Sequence, residues 1–266
     1  MEQIDWRPWV THFERHRGRP LPPVQHCAEG LEPRQQRALA SSLARFELGE
    51  RGGGSIARRI DHLHLTGIDD HYRSALKLFV AEEHRHGQIL ARLVRTMGGQ
   101  LLDESWTDSL FTRGRRLMGL RVKLLVLLSA EVIGIAFYGG IAAVLPPGSA
   151  RTALEGICED EEAHLRFHRD FFCQQSRTPL ARALVRAGLW VIGLAAMATV
   201  VADHRRQLAA LGLSPRQVAQ RMVGLLAESS TALSRPPVAA GGPSGLSNFR
   251  NPRPRNQPTA PSTMEG

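Results

Sequence analysis

Apolar residues recur every third or fourth position along most of this chain, while Val, Ile, Thr and Tyr never alternate over a useful stretch, so the pattern predicts helices and few strands. From Asp70 to Met97 one stripe reads Tyr72, Leu76, Phe79, Glu83, His86, Leu90, Leu93 and Met97, a single helix face. Glu83 and His86 lie on that apolar stripe. Glu82, His84 and Arg85 fall off it, which assigns Glu82 and His84 to a solvated face. A second stripe, Leu154, Ile157, Glu161, His164, His168 and Phe171, repeats the arrangement within "ICEDEEAHLRFHRDFF". A buried carboxylate beside a buried imidazole is costly unless it is paired or bound to a cation. Two Glu-x-x-His pairs on core-facing stripes therefore point to a cation.

A centre of two metals in a helical bundle needs further carboxylates, and two stripes supply them. The segment "LKLLVLLSAEVIGIAFYGGIAAVL" is almost wholly apolar but carries Glu131, on a stripe with Leu120, Leu124, Leu127, Ile135 and Tyr138. Pro146, Pro147 and Gly148 then mark a turn. Glu131 lies 15 residues before Pro146 and Glu161 lies 13 after Gly148. In an antiparallel hairpin rising about 1.5 Å per residue, the two sit at nearly one height. From Pro33, a further stripe runs Leu39, Leu43, Phe46, Glu50, Gly54, Ala57 and Ile60, with a turn expected at Thr66-Gly67. Glu50 is 16 residues before Thr66 and Glu83 is 16 after Gly67, so their heights match too, with Glu47 in reserve about one turn away. Gly52-Gly53-Gly54 weakens this helix by roughly 1 kcal/mol per glycine relative to alanine, and a break there would undo the register of Glu50.

The ends differ in character from this region. Residues 1–32 read as an extended arm broken by Pro20, Pro22 and Pro23, with Trp6, Trp9 and Phe13 as anchors. Residues 234–266 are rich in Pro, Gly, Ser and Asn and read as a disordered tail. The net charge of +9 comes almost entirely from arginine, since the only lysines are Lys77 and Lys123. The arginines are scattered and not interleaved with aromatics, so no specific nucleic-acid surface is predicted. Cys27, Cys158 and Cys173 are odd in number and form no CxxC, which argues against a disulfide framework and against zinc or rubredoxin-type sites. Residues 1–20 carry charges throughout with no apolar core of a signal peptide, so a reducing cytoplasm is expected.

The order Glu50, Glu83-x-x-His86, Glu131, Glu161-x-x-His164 resembles the ferritin-like di-iron carboxylate superfamily over residues 33–175. "AEEHRHG" is also similar to the corresponding motif of acyl-carrier-protein desaturases. The resemblance implies an all-α fold, a ferritin-like four-helix bundle. It implies two iron ions, or a manganese–iron pair, with Glu50 and Glu131 as terminal ligands, Glu83 and Glu161 bridging, and His86 and His164 as one imidazole per metal. His168, one turn beyond His164, is the candidate for an additional ligand, as in some N-oxygenases of the superfamily; a supporting or packing role is the alternative.

Residues 176–233 are expected to form accessory helices. The run Ala187–Ala202 is uncharged for 16 residues, short of the roughly 20 a membrane span needs. It is read as a buried fifth helix packed on the bundle or on a homodimer partner, in preference to a membrane contact, followed by a short helix over 214–229. Two function classes fit this layout. In one, the di-iron site uses dioxygen and an electron donor to oxidise a small organic substrate by hydroxylation, N-oxygenation or desaturation. In the other, the protein is a ferroxidase or iron-handling protein without an organic substrate. The extensions beyond a bare bundle favour the first.

Overall fold

A computed structural model describes residues 4–51, 60, 67–103 and 119–234. Among them are seven helices and no strand: α1 Arg7–His16, α2 Pro33–Glu50, α3 Asp70–Thr96, α4 Leu120–Val144, α5 Ser149–Gln175, α6 Pro179–Ala210 and α7 Pro215–Ala232. The chain is all-α, as its periodicity predicts.

Local chemistry fixes where these helices start. Pro33, Pro179 and Pro215 open α2, α6 and α7, where the missing N–H costs nothing. The Asp69 carboxylate accepts from the Tyr72 N–H at 2.8 Å and caps α3. Thr178 caps α6 in the same way, accepting from the Ala181 N–H at 3.1 Å. Helix α2 stops at Glu50, just ahead of the glycine run. That run, Ala57 and Thr66 lie outside the described residues, as does the tail after Ser234.

Helices α2 and α3 run antiparallel, because Gln36 Nε2 donates to the Met97 carbonyl at 2.8 Å at one end and Glu50 lies against Gly87 at the other. Helices α4 and α5, joined by the turn Leu145–Gly148, form a second antiparallel pair, and α3 meets α5 over a short stretch between the two pairs. Apolar residues divide into two clusters. One gathers Leu39, Leu43, Leu90, Phe137 and Ile157. The other gathers Trp6, Phe13, Tyr72, Phe79 and Phe167. On α3 and α5 the acid–histidine turns lie between the two.

Two expectations change here. Part of the arm is helical, residues 7–16: Trp6, Trp9 and Phe13 are buried, and α1 packs on α3. Trp9 Nε1 donates to Asp170 at 3.0 Å and Trp6 Nε1 to the Gly67 carbonyl at 3.1 Å, so aromatic docking gives the short helix the tertiary support it lacks alone. The fifth helix packs on the bundle, one of its two expected settings, but is only partly buried there. Helix α6 sinks only Leu189, Gly193, Ala196, His204 and Leu208 into α2, α4 and α7. Val185, Trp190, Ile192, Met197, Val200 and Val201 are half-buried against the two clusters, while Leu180, Leu184, Val191 and Leu194 are exposed, with no covering element among the described residues. Helices α4 and α6 are both long and apolar enough to cross a membrane; α4 is mostly buried, as the central helix of a bundle must be, whereas α6 is mostly not.

Candidate metal centre

Where α3 meets α5, Glu83, His86, Glu161 and His164 are all buried, and each offers a ligand atom within 4.8 Å of the others. His164 Nδ1 lies 2.8 Å from Glu83 Oε1 and 3.1 Å from Glu161 Oε2. His86 Nδ1 lies 3.3 Å from Glu161 Oε1 and 3.7 Å from Glu83 Oε1. Each glutamate thus faces both imidazoles, and both imidazoles turn Nδ1 inward.

The outer nitrogens have their own partners. His86 Nε2 is 3.2 Å from Asp160 Oδ2, and His164 Nε2 is 3.1 Å from Glu82 Oε2. A carboxylate at Nε2 holds a proton there, so that Nδ1, facing the glutamates, is the nitrogen free to bind a cation once its own proton leaves. Arg19 Nη2 in turn donates to Glu82 Oε1 at 2.8 Å and to Asp160 Oδ1 at 2.6 Å. His16 Nδ1 lies 2.8 Å from Glu82 Oε1. The arm therefore closes a ring behind the two imidazoles.

Sequence reasoning missed this ring. Glu82, assigned to a solvated face, is buried and holds His164, because the arm covers the side of α3 that helical period leaves to solvent. A signal was present in the repeat itself. Both pairs carry an extra acid immediately before the glutamate, Glu82-Glu83-x-x-His86 and Asp160-Glu161-x-x-His164.

The two lone glutamates reach the cluster's edge. Glu131, buried on α4, has Oε2 3.8 Å from His164 Nδ1 and Oε1 3.7 Å from His168 Nε2. Glu50 accepts a hydrogen bond from the Tyr138 hydroxyl at 2.9 Å. Burial first, then neighbouring Glu83 and Glu161, push the carboxyls of both well above the usual range. Glu47 is engaged elsewhere, with Oε1 3.0 Å from Arg51 Nε. His168 is fully buried with neither ring nitrogen hydrogen-bonded. Burial and the nearby His164 lower it to about 3, so it is neutral.

The residues present suit a cation. Buried Glu83 Oε1 and His86 Nδ1 lack hydrogen-bond partners, a costly omission that a metal would repair. Glu50, Glu83, Glu131 and Glu161 converge, and like charges so placed require a counter-charge. Without a metal that charge comes from protons. Burial opposes a charge on His86, but Asp160 and Glu161 outweigh it and raise the imidazole to about 10. His164 is likewise raised, its burial overcome by Glu83, Glu131, Glu161 and Glu82. Aromatic rings close the remaining sides. Phe79 stands edge-on at 4.7 Å from His164 and 4.8 Å from His168, and Phe13 lies 5.9 Å from His164 between ring centres.

Comparison with known proteins finds no matching family model, no matching curated protein and no matching solved structure. What stands on this chain's own geometry is a helical protein with a buried carboxylate–imidazole cluster able to hold a metal.

Proposed function

We propose that this cluster holds two iron ions, or a manganese–iron pair, and that the protein uses dioxygen to oxidise a small organic substrate by hydroxylation, N-oxygenation or desaturation. The observation that carries the reading is the facing pair of Glu-x-x-His turns, with both Nδ1 atoms on shared carboxylates and both Nε2 atoms anchored outward. Glu83 and Glu161 would contact both ions, Glu50 and His86 would complete one and Glu131 and His164 the other, with His168 beside Glu131 as a further donor. Oxygen and imidazole donors without thiolate suit iron or manganese. Bound there, the metals supply the redox equivalents and open coordination positions that dioxygen reduction requires.

The chain's own residues do the rest. Asp160 and Glu82 keep the imidazoles in the tautomer that presents Nδ1. The protons that His86 and His164 carry in the metal-free protein must leave on loading, so metal uptake releases acid. Tyr138 orients Glu50. Phe13, Phe79 and Phe167 form a dry wall over His164 and His168, a surface for an organic guest rather than a path for hydrated iron.

Protein produced with iron should carry close to two metal ions per chain, and Glu83→Ala or Glu161→Ala should lose most of them. After anaerobic reduction, exposure to oxygen with candidate small molecules should yield an oxygenated or dehydrogenated product by mass spectrometry. A wild type that takes up neither iron nor manganese would sink the di-metal reading. Sustained turnover of excess ferrous iron into mineral, indifferent to every organic compound, would replace oxygenase with ferroxidase.

A further inference from the structure

Helix α6 carries an apolar face that the described residues leave bare. Its exposed positions between Leu180 and Ala202 are Leu180, Ala183, Leu184, Arg186, Ala187, Val191, Leu194, Ala195, Ala198 and Ala202. All but Arg186 are apolar, and Arg186 lies off the stripe, with Nε donating to Ser230 Oγ at 3.1 Å. Leu180 and Val191 are 70% exposed and Leu184 64%. The spacing 180, 184, 187, 191, 194, 198 alternates fours and threes, which keeps one straight seam on one side of the helix.

The seam is graded in size. Bulk stands at Leu180 and Leu184, Val191 and Leu194 lie near the middle, and Ala195 beside the seam, Ala198 and Ala202 make the far end low. Reversed end for end about Val191, the face fits itself: Leu180 comes over Ala202, Leu184 over Ala198 and Ala187 over Ala195. Alanines at these points let two helix axes approach to the short end of the usual 8–10 Å. A twofold axis requires such self-complementarity, with residue i meeting j and j meeting i. Leu180, Leu184, Val191 and Leu194, 41–70% exposed, are the bulk a partner helix would cover along the seam, which runs about 33 Å from Leu180 to Ala202.

We infer that α6 is the dyad face of a homodimer, in which two copies of α6 pack antiparallel across Val191. A lipid surface fits less well. An interfacial helix carries basic residues along its polar face, whereas α6 has them only at its ends, Arg182, Arg186, Arg205 and Arg206, and none from Ala187 to Ala202. Helix α6 is long and apolar enough to cross a membrane, but its opposite face is tied to the bundle, with His204 Nδ1 2.6 Å from Ser42 Oγ and Arg45 Nε 3.1 Å from Asp203, which argues against a free-standing span. The dimer does not depend on the metal reading.

The full chain, metal-loaded or not, should sediment at twice its 29.3 kDa mass at micromolar concentration without detergent. Val191→Glu sets two carboxylates against each other at the dyad and should weaken self-association at least about 100-fold, with helicity by circular dichroism unchanged because the site is exposed. Under mild oxidation the double variant Leu184→Cys with Ala198→Cys should cross-link between chains, while Leu184→Cys alone should not, its two copies lying about 21 Å apart along antiparallel axes. Cross-linking by Leu184→Cys alone would mean a parallel pair and overturn the proposal. So would a wild type that stays monomeric, a Val191→Glu dimer as tight as wild type, or a monomer that floats with vesicles of phosphatidylcholine and phosphatidylglycerol.

Discussion

Arg19→Ala measures what the arm contributes to the centre. One guanidinium nitrogen bridges Glu82 at 2.8 Å and Asp160 at 2.6 Å, and those carboxylates hold the outer nitrogens of His164 and His86 at 3.1 and 3.2 Å. Without Arg19, two buried acids face each other with Arg85 near Asp160, His16 beside Glu82, and His86 and His164 on their inner sides. Breaking a fully buried pair costs about 3–5 kcal/mol. The Arg19 side chain is 37% exposed, so water replaces part of the interaction and about 2 kcal/mol is expected. Because Glu82 and Asp160 fix the tautomer and orientation of both imidazoles, metal affinity should also fall, by about 10- to 100-fold. Anaerobic chelator competition reads the affinity, and thermal melts of metal-free protein read the stability. Arg19→Lys keeps the charge but loses the fork, and should recover only part of the loss. Arg7→Ala, which removes an exposed pair with Asp5, is the control. If Arg19→Ala binds metal as tightly as Arg7→Ala, the arm does not position the histidines.

Metal content should drop more in Glu50→Ala than in Glu47→Ala, since Glu50 stands at the cluster with Tyr138 while Glu47 is paired to Arg51; the reverse order by elemental analysis would reassign the α2 ligand. His204 gives a pH test remote from the centre. Burial, helped by Arg45, holds it down to about 4, so in the folded chain it stays neutral where the unfolded imidazole takes a proton at about 6.5. This group leaves stability unaffected above pH 6.5 and subtracts from it as pH falls toward 4, by at most about 3 kcal/mol. Urea melts of His204→Phe should show a shallower loss over that window, and identical slopes would contradict the assignment.

Helical period was enough to place Glu83, His86, Glu131, Glu161 and His164 on buried faces, because each sits on a core-facing stripe and a stripe is a local property. It also located the turn at Pro146–Gly148, which sets Glu131 level with Glu161. Period failed wherever burial comes from distant chain. Glu82 and Asp160 sit one residue off their stripes and are buried only because residues 6–19 return to cover them. Residues 7–16 offer barely three turns, too few for pattern to distinguish helix from extended arm, and Trp9 bonding to Asp170 decides the matter. For α6 the sequence carried the apolar run but not the number of neighbours available to cover it.

The arm's bonds also impose an order of assembly. Trp6 reaches Gly67, Arg19 reaches Asp160 and Trp9 reaches Asp170, closing loops of 61, 141 and 161 residues. Loops of that length close late, after the local hairpins have formed. During synthesis the arm is made long before α5, so it waits for its partners while α2 and α3 pair. Glu82 and Asp160, which hold the histidines, then gain Arg19 and His16 behind them only when the arm docks. A chain stalled before that step would hold its glutamates in place and still bind metal poorly, so maturation of the centre reports completion of the fold.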